Sequence, residues 1–392
     1  MDLRLSERVA RIQPSPTLAV TAKAAELRAQ GRDILALGVG EPDFETPEHI
    51  KQAAVQAIAD GYTRYTAVDG YPALKQAIVN KLQRDNGLAY QPNQILVSCG
   101  GKHSLYNLCQ AMLDSGDEVI IPAPYWVSYP DLALLGNATP VLLDCPMSSG
   151  FKLQPEQLRE AINANTRIVM LNSPSNPTGV AYSRADLEAL GEVLRQYPDI
   201  LVVSDDIYEH ILWTDAPFCN IFMACPDLIG RGMVINGVSK AYAMTGWRIG
   251  YAAGPAKLIA AMKKMQSQST SNPASISQMA AIAALNGDQS CIAPMLEAFQ
   301  RRHKLVVDGL NAIDGLSCLP SDGAFYAFPD VNGMIARLDG VSDDIELAGL
   351  LLERIGVALV TGSAFGAPGH LRLSFATSDA NLKDALSRLA SV

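Results

Sequence analysis

Short apolar runs alternate with amphipathic stretches between about residues 46 and 285, and this alternation limits the possible folds more than any other feature of the chain. Residues 95–98, 118–121, 167–171, 200–204 and 233–235 read as buried strands. Between them, 101–112 puts Leu105, Leu108, Cys109 and Met112 on one helical stripe, and 184–196 reads as another helix. Thr46-Pro47-Glu48 and Gly70-Tyr71-Pro72 open two earlier helices, with Pro47 at a favourable first position; 262–271 and 275–285 read as two later ones. Such alternation predicts an α/β fold with a mainly parallel, doubly wound sheet between two helical layers.

The flanks follow another pattern. Thr17 is expected to cap a helix over 18–30, and 34–37 reads as a short strand. Beyond 285, a long helix over 291–313 precedes strands at 324–328, 357–360 and 370–375 and helices at 346–355 and 380–389. The expected division is 1–45 (arm and part of a smaller domain), 46–285 (large domain) and 286–392 (smaller α/β domain). In the 370–375 run, Arg372 shares a face with His370 and Ser374, opposite Leu371 and Leu373; that face is either solvated or a carboxylate clamp.

Composition excludes several classes. With 48% hydrophobic and 18% charged residues in 392, the chain can bury a substantial core. The net charge is −9 and no basic block occurs, which argues against nucleic acid as a partner. The 7 cysteines are odd in number and include no C-x-x-C pair, so reduced thiols in a cytoplasm are expected rather than disulfides or a zinc centre. The first residues lack a signal-like apolar stretch, and no apolar run approaches the roughly 18 residues of a membrane span.

Chemistry-bearing residues recur where strands end. Gly100-Gly101 follows 95–98 and opens a helix, a geometry that presents free N–H groups to a phosphate. Trp126 follows 118–121, Asn176 stands in a proline-braced loop after 167–171, and Asp205 ends 200–204. Asp205, Asp206, Glu209 and His210 could instead be read as a metal site, but such close neighbours point in different directions and no second histidine has ligand spacing. Gly38-Val39-Gly40 resembles a dinucleotide loop only in part, because a third glycine is missing and Pro42 blocks the helix. After 233–235, small residues surround Lys240, and Arg248 follows. A poorly solvated lysine loses its proton near neutral pH and can attack a carbonyl, and an arginine suits a doubly charged phosphate. A surface loop carrying both residues is the plain alternative; a lysine with a phosphate anchor is what pyridoxal phosphate requires. An acid at a strand end would then keep the pyridine nitrogen protonated.

Several motifs in this order resemble those of fold-type I pyridoxal-phosphate aminotransferases of class I, most closely the bacterial aspartate aminotransferase subgroup. They are Gly40-Glu41-Pro42-Asp43-Phe44, Pro124-Tyr125-Trp126-Val127-Ser128-Tyr129, Asn172-Ser173-Pro174 with Asn176-Pro177-Thr178-Gly179, Ser204-Asp205-Asp206-Ile207-Tyr208-Glu209-His210, Ser239-Lys240, Thr245-Gly246-Trp247-Arg248-Ile249-Gly250 and Leu371-Arg372-Leu373-Ser374. The resemblance spans nearly the whole chain. It implies that Lys240 carries the cofactor and later moves the proton between the substrate α-carbon and the cofactor. It further implies that Asp205 pairs with the pyridine nitrogen, Tyr208 and Asn176 hydrogen-bond the phenolic oxygen, and Trp126 stacks on the ring. Gly100, Gly101, Ser239 and Arg248 would hold the phosphate, with Tyr65 reaching in from the second subunit of a homodimer. Arg372 would clamp the substrate α-carboxylate, and Gly40 would touch the substrate through its backbone.

Lys102 is the discriminating position, because the subgroup resembles Gly-Gly-Lys there and its lysine reads a distal carboxylate; Ser15 and Thr17 on the arm would close over the same group. As a plain helix-start lysine it would oppose the helix dipole by about 0.3–1 kcal/mol. Asp206 stands where relatives resemble glutamate, with little effect expected. Gln13 stands where members that accept prephenate resemble a basic residue, which counts against prephenate. The expected reaction is L-aspartate with 2-oxoglutarate, by a ping-pong route. The alternatives are an alanine, aromatic or broad-range aminotransferase, a C–S lyase on the same cofactor, and a non-enzymatic regulator, which the intact Lys240 disfavours.

Overall fold

The computed structural model describes residues 3–392. Its centre is a seven-stranded sheet in the order Ile95–Ser98, Gly250–Ala253, Gly232–Gly237, Leu201–Asp205, Thr166–Asn172, Glu118–Ala123, Thr139–Asp144. Gly250–Ala253 runs antiparallel to both neighbours, and every other pairing is parallel. Alternate strand residues feed different cores, as a two-residue period requires. Val97, Val169, Leu171 and Val202 join helices Glu48–Ala59, Pro72–Asn86, Arg184–Leu194 and Ser275–Asn286 on one face. Leu96, Ile168, Met170 and Val203 join Gly101–Met112, Ser128–Leu135 and Ala256–Ser267 on the other. Both faces are dry, which is why the central strands read as continuous apolar runs.

A separate apolar cluster gathers the two ends of the chain: Leu35 and Leu37 pack with Phe299, Phe325, Leu351, Phe375 and Leu389. Here Leu35–Ala36 pairs parallel with Val357–Ala358, while Val360–Thr361, Leu371–Ser374 and Tyr326–Ala327 form an antiparallel sheet.

Several expectations are corrected. Thr17 does not cap its helix, which begins one residue earlier at Pro16, with Ser15 at the cap position and no side-chain capping bond. Pro47 stands at the cap of Glu48–Ala59 rather than inside it. The helix expected over 262–271 begins at Ala256 and ends at Ser267. The long helix is Ala293–Asn311, preceded by a separate 3-10 turn. The run 357–360 is two short strands in two different sheets. Within 324–328 only Tyr326–Ala327 is paired as strand, because Ala324 turns at φ 58° and its N–H bonds the Ile211 carbonyl. Thr139–Asp144 and Gly250–Ala253 were not expected as strands at all. Among the described residues, no helix is long and apolar enough to cross a membrane, and all seven cysteines are free.

Candidate active site

Strands Leu201–Asp205, Thr166–Asn172 and Gly232–Gly237 end at one rim, and a cavity of about 480 Å³ opens there against the strap 38–41 and the end of strand Leu371–Ser374. Ser15, Thr17, Gly40, Gly101, Lys102, Trp126 and Asn176 line it. So do Asp205, Tyr208, Ser239, Lys240, Arg248 and Arg372. Gly100 lies just behind the guanidinium of Arg248. Tyr65 is apart from the cavity and 92% exposed.

Lys240 stands just past the strand Gly232–Gly237, after Val238 and Ser239, and its Nζ donates to the Gly40 carbonyl at 2.5 Å. Burial drives its amine down to about 8; Glu41 pulls it up, while Arg372 and Arg248 push it further down. Asp205, the last residue of its strand, is 5% exposed. Burial raises its carboxyl to about 6, even though the Tyr129 hydroxyl donates to Oδ2 at 2.7 Å and the Ile207 N–H to Oδ1 at 3.3 Å. Such a group holds a proton readily yet ionises when a cation faces it.

Arg372 is 2% exposed, so its strand face is not a solvated one. Its Nη1 donates to Asn176 Oδ1 and its Nη2 to the Gly38 carbonyl, both at 2.7 Å, and it lies over the rings of Tyr326 and Phe365. Its Nε is buried without a partner. The bond from Arg372 fixes the Asn176 amide, so that its Nδ2 is left as the free donor. Tyr208 and Tyr326 share a hydroxyl–hydroxyl bond of 2.8 Å. A Cβ on Gly40 would come within 2.8 Å of the Tyr326 hydroxyl, which accounts for a glycine there.

On the phosphate-like side, Gly100 holds φ 90° and ψ 160°, a conformation nearly reserved to glycine, and helix Gly101–Met112 starts immediately after. Its first N–H groups and Arg248, tied to the Thr245 and Cys99 carbonyls, face the same space. Lys102 Nζ lies 4.9 Å from the centroid of the Trp126 ring, which meets Tyr129 edge-on.

Two contributors were not singled out from the sequence: Tyr129, which bonds Asp205 across 76 positions, and Tyr326, which meets Tyr208 across 118. Neither spacing carries a local signal. The neighbouring acids have separate partners: Asp206 accepts from Ser204 and Asn220, Glu209 from Lys81, Asn86 and Asn236, and Asp205 from Tyr129.

Residues 32–389 match the family Aminotransferase class I and II. The chain is 58% identical over 395 residues to an aspartate/prephenate aminotransferase of Nitrosomonas europaea, with 100% of both chains covered. It matches the crystal structure of an aspartate aminotransferase from Rhizobium meliloti with a TM-score of 0.96 at 50% identity, covering 100% of this chain and 98% of the other. The aspartate aminotransferase of Thermus thermophilus with maleate gives 0.93 at 44%, with 100% of both covered. With the family matched over 32–389 and both sequence and fold similar to these relatives along the whole chain, the protein belongs to the class I and II aminotransferases, a family of pyridoxal-phosphate enzymes.

Proposed function

We propose that this aminotransferase exchanges the amino group of L-aspartate with 2-oxoglutarate. One observation carries the choice of substrate: Lys102 and Arg372, two cations, line the same cavity as Lys240. A dicarboxylate spans two cations with an amine between them; a substrate with one carboxylate uses only Arg372. The Thermus relative was solved with maleate, itself a dicarboxylate. The unpartnered Nε of Arg372 supports a carboxylate ligand, since a buried donor without an acceptor is costly.

The residues present fit the family cofactor. Gly100 leaves room where a side chain would overlap Arg248, and Gly101, Ser239 and Arg248 line the same cavity. Pyridoxal phosphate, when bound, supplies an aldehyde carbon that takes up the amino group and a ring that accepts electrons. The chain's own groups do the rest. Lys240, its amine pushed down to about 8 by burial, would take a proton from the substrate α-carbon and pass it from the same Nζ to the cofactor carbon that receives the amino group. Asp205 would keep a proton on the ring nitrogen. Tyr208 and the free Asn176 amide would donate to the ring oxygen, Trp126 would cover the ring, and Arg372 would orient the substrate α-carboxylate. Ser15 and Thr17, at the start of helix Pro16–Ala29, cover the distal carboxylate and exclude water.

The same proposal takes the chain as a cytoplasmic homodimer with Tyr65 contributed across the interface, and 46–285 as the cofactor-binding domain. The free cysteines and the exposed Tyr65 support it. The name of the Nitrosomonas relative adds prephenate as a second acceptor to be assayed; the exposed Gln13 offers no cation for it.

The test is Lys102→Ala. Aspartate kcat/KM is expected to fall about 100-fold, as for loss of a charge-assisted pair, while alanine kcat/KM changes less than about 3-fold. Equal losses would refute the assignment of the distal carboxylate to Lys102.

A further inference from the structure

Behind Asp205 the chain turns away from the cavity and enters a buried polar cluster that the reaction, as described, does not use. Glu209 is 6% exposed and Lys81, on helix Pro72–Asn86, is 1% exposed. Lys81 donates to Glu209 Oε1, and also to Asn86 Oδ1 at 2.7 Å. Asn86 Nδ2 donates to Glu209 Oε2 at 2.7 Å, and Asn236 Nδ2 donates to Oε1 at 2.6 Å. Asn236 also accepts the N–H of Gly237 at 2.7 Å. The imidazole Nε2 of His210 lies 3.6 Å from Glu209 Oε1 and 3.6 Å from Asp85 Oδ2.

The connections matter more than the charge pair. Glu209 immediately follows Tyr208 and closes the turn that begins at Asp205, where its N–H bonds the Asp206 carbonyl at 2.9 Å. Asn236 lies in the strand Gly232–Gly237 that delivers Lys240. A single carboxylate therefore ties three segments: helix Pro72–Asn86, the turn carrying Asp205 and Tyr208, and the strand leading to Lys240. Burial alone would raise the Glu209 carboxyl, but Lys81, His210 and the Asn86 amide outweigh it and hold it at about 2. Glu209 is thus an anion throughout the neutral range, with its acceptor sites taken up. A buried ion pair is a poor device for stability alone, because apolar residues of similar volume often serve as well. One that fixes several segments serves geometry.

We propose that Glu209 is a positioning residue: its carboxylate locks the turn that follows Asp205 and bears Tyr208 to the strand that leads to Lys240, so that the lysine amine and the two side chains facing it keep one mutual placement. The proposal rests on the roles given above to Lys240, Asp205 and Tyr208.

Two substitutions in the cofactor-loaded enzyme test it. Glu209→Gln removes the anion; because it leaves the Lys81 ammonium buried without its partner, the fold itself can suffer. Asn236→Ala leaves the Lys81–Glu209 pair intact and cuts the link to the lysine strand, together with the local bond from the Gly237 N–H to Asn236 Oδ1. The readouts are the pH midpoint of the cofactor's visible absorbance, cofactor affinity, and kcat separately from KM. With Tyr208 less firmly held, Asn236→Ala is expected to raise the midpoint by at least about half a unit. It should lower kcat about 10-fold while aspartate KM stays within about 2-fold, since Arg372 and Lys102 are on other segments. Glu209→Gln, where it folds, is expected to do the same. A midpoint and kcat equal to wild type, with only a lower Tm, overturns the proposal and leaves the cluster as a stabilising one. A wild-type protein without a pH-dependent band would overturn the functional reading itself, which separates the two failures.

Discussion

At the scale of single residues, the site is a set of groups moved off their ordinary titration points by burial. Lys240 is the clearest. Its amine, held at about 8 rather than the 10.5 of free lysine, is half-deprotonated where an exposed lysine is almost wholly charged. The sign is fixed by the cause: burial penalises the ammonium, so the neutral nucleophile gains. In apoprotein, the rate of recombination with pyridoxal phosphate should therefore rise with pH and level off above about 8, instead of climbing toward the lysine value near 10.4. Glu41 works against the shift, so Glu41→Gln should move that midpoint lower. Stopped-flow absorbance across pH 6–10 measures both. A midpoint near that of exposed lysine would remove the physical reason for choosing this amine.

At the scale of elements, the proposed phosphate cradle depends on one glycine. Gly100 joins strand Ile95–Ser98 to helix Gly101–Met112 at φ 90° and ψ 160°, and a Cβ there would overlap the Arg248 guanidinium. Strain of about 1–3 kcal/mol is expected for a non-glycine residue in this conformation. Gly100→Ala should weaken pyridoxal-phosphate binding by about 10- to 100-fold with little change in the far-ultraviolet spectrum; fluorescence titration of the apoprotein would measure it. The glycine pair was legible in the sequence because a strand precedes it and an amphipathic helix follows. So were five of the seven strands, four of them central, whose buried faces leave unbroken apolar runs. Thr139–Asp144 was not legible: it is an edge strand, partly exposed along its length, with a proline inside it. Gly250–Ala253 was hidden for the opposite reason. Gly250 lets the backbone approach Gly101, and with Ala252 and Ala253 beyond Tyr251 the strand lacks the branched side chains that mark one. The site residues that mark strand ends could be placed from the chain alone. Tyr129 and Tyr326 could not, because their partners come together only when a helix and a distant strand pack on the rim.

At the scale of the whole molecule, the question is why an aromatic ring is held out in solvent. Tyr65 is 92% exposed, yet its loop is firmly anchored. Gln278 accepts the Tyr71 N–H at 2.7 Å and donates to Thr66 Oγ1 at 3.1 Å, while Gln266 donates to the Val68 and Val97 carbonyls at 2.7 and 2.8 Å. Both glutamines are fully buried, and Val55 and Ile58 on the preceding helix are more than half exposed. A rigid loop presenting a tyrosine beside exposed aliphatic side chains fits a surface made for a second copy of the chain. On the proposed dimer, each cavity takes Lys240 from one chain and Tyr65 from the other, and subunit mixing makes that testable. Lys240→Ala homodimers should be inactive, and Tyr65→Ala homodimers should bind the cofactor weakly. In a mixed dimer of the two, one cavity carries both lesions and the other carries neither. Differently tagged chains, co-purified as the mixed species and assayed at limiting pyridoxal phosphate, should therefore recover about half the wild-type rate per dimer, as two equivalent sites of a two-fold assembly require. If Tyr65 instead serves its own chain, the cavity with Lys240 lacks its tyrosine, and the mixture would show only the weakened binding of the Tyr65→Ala enzyme.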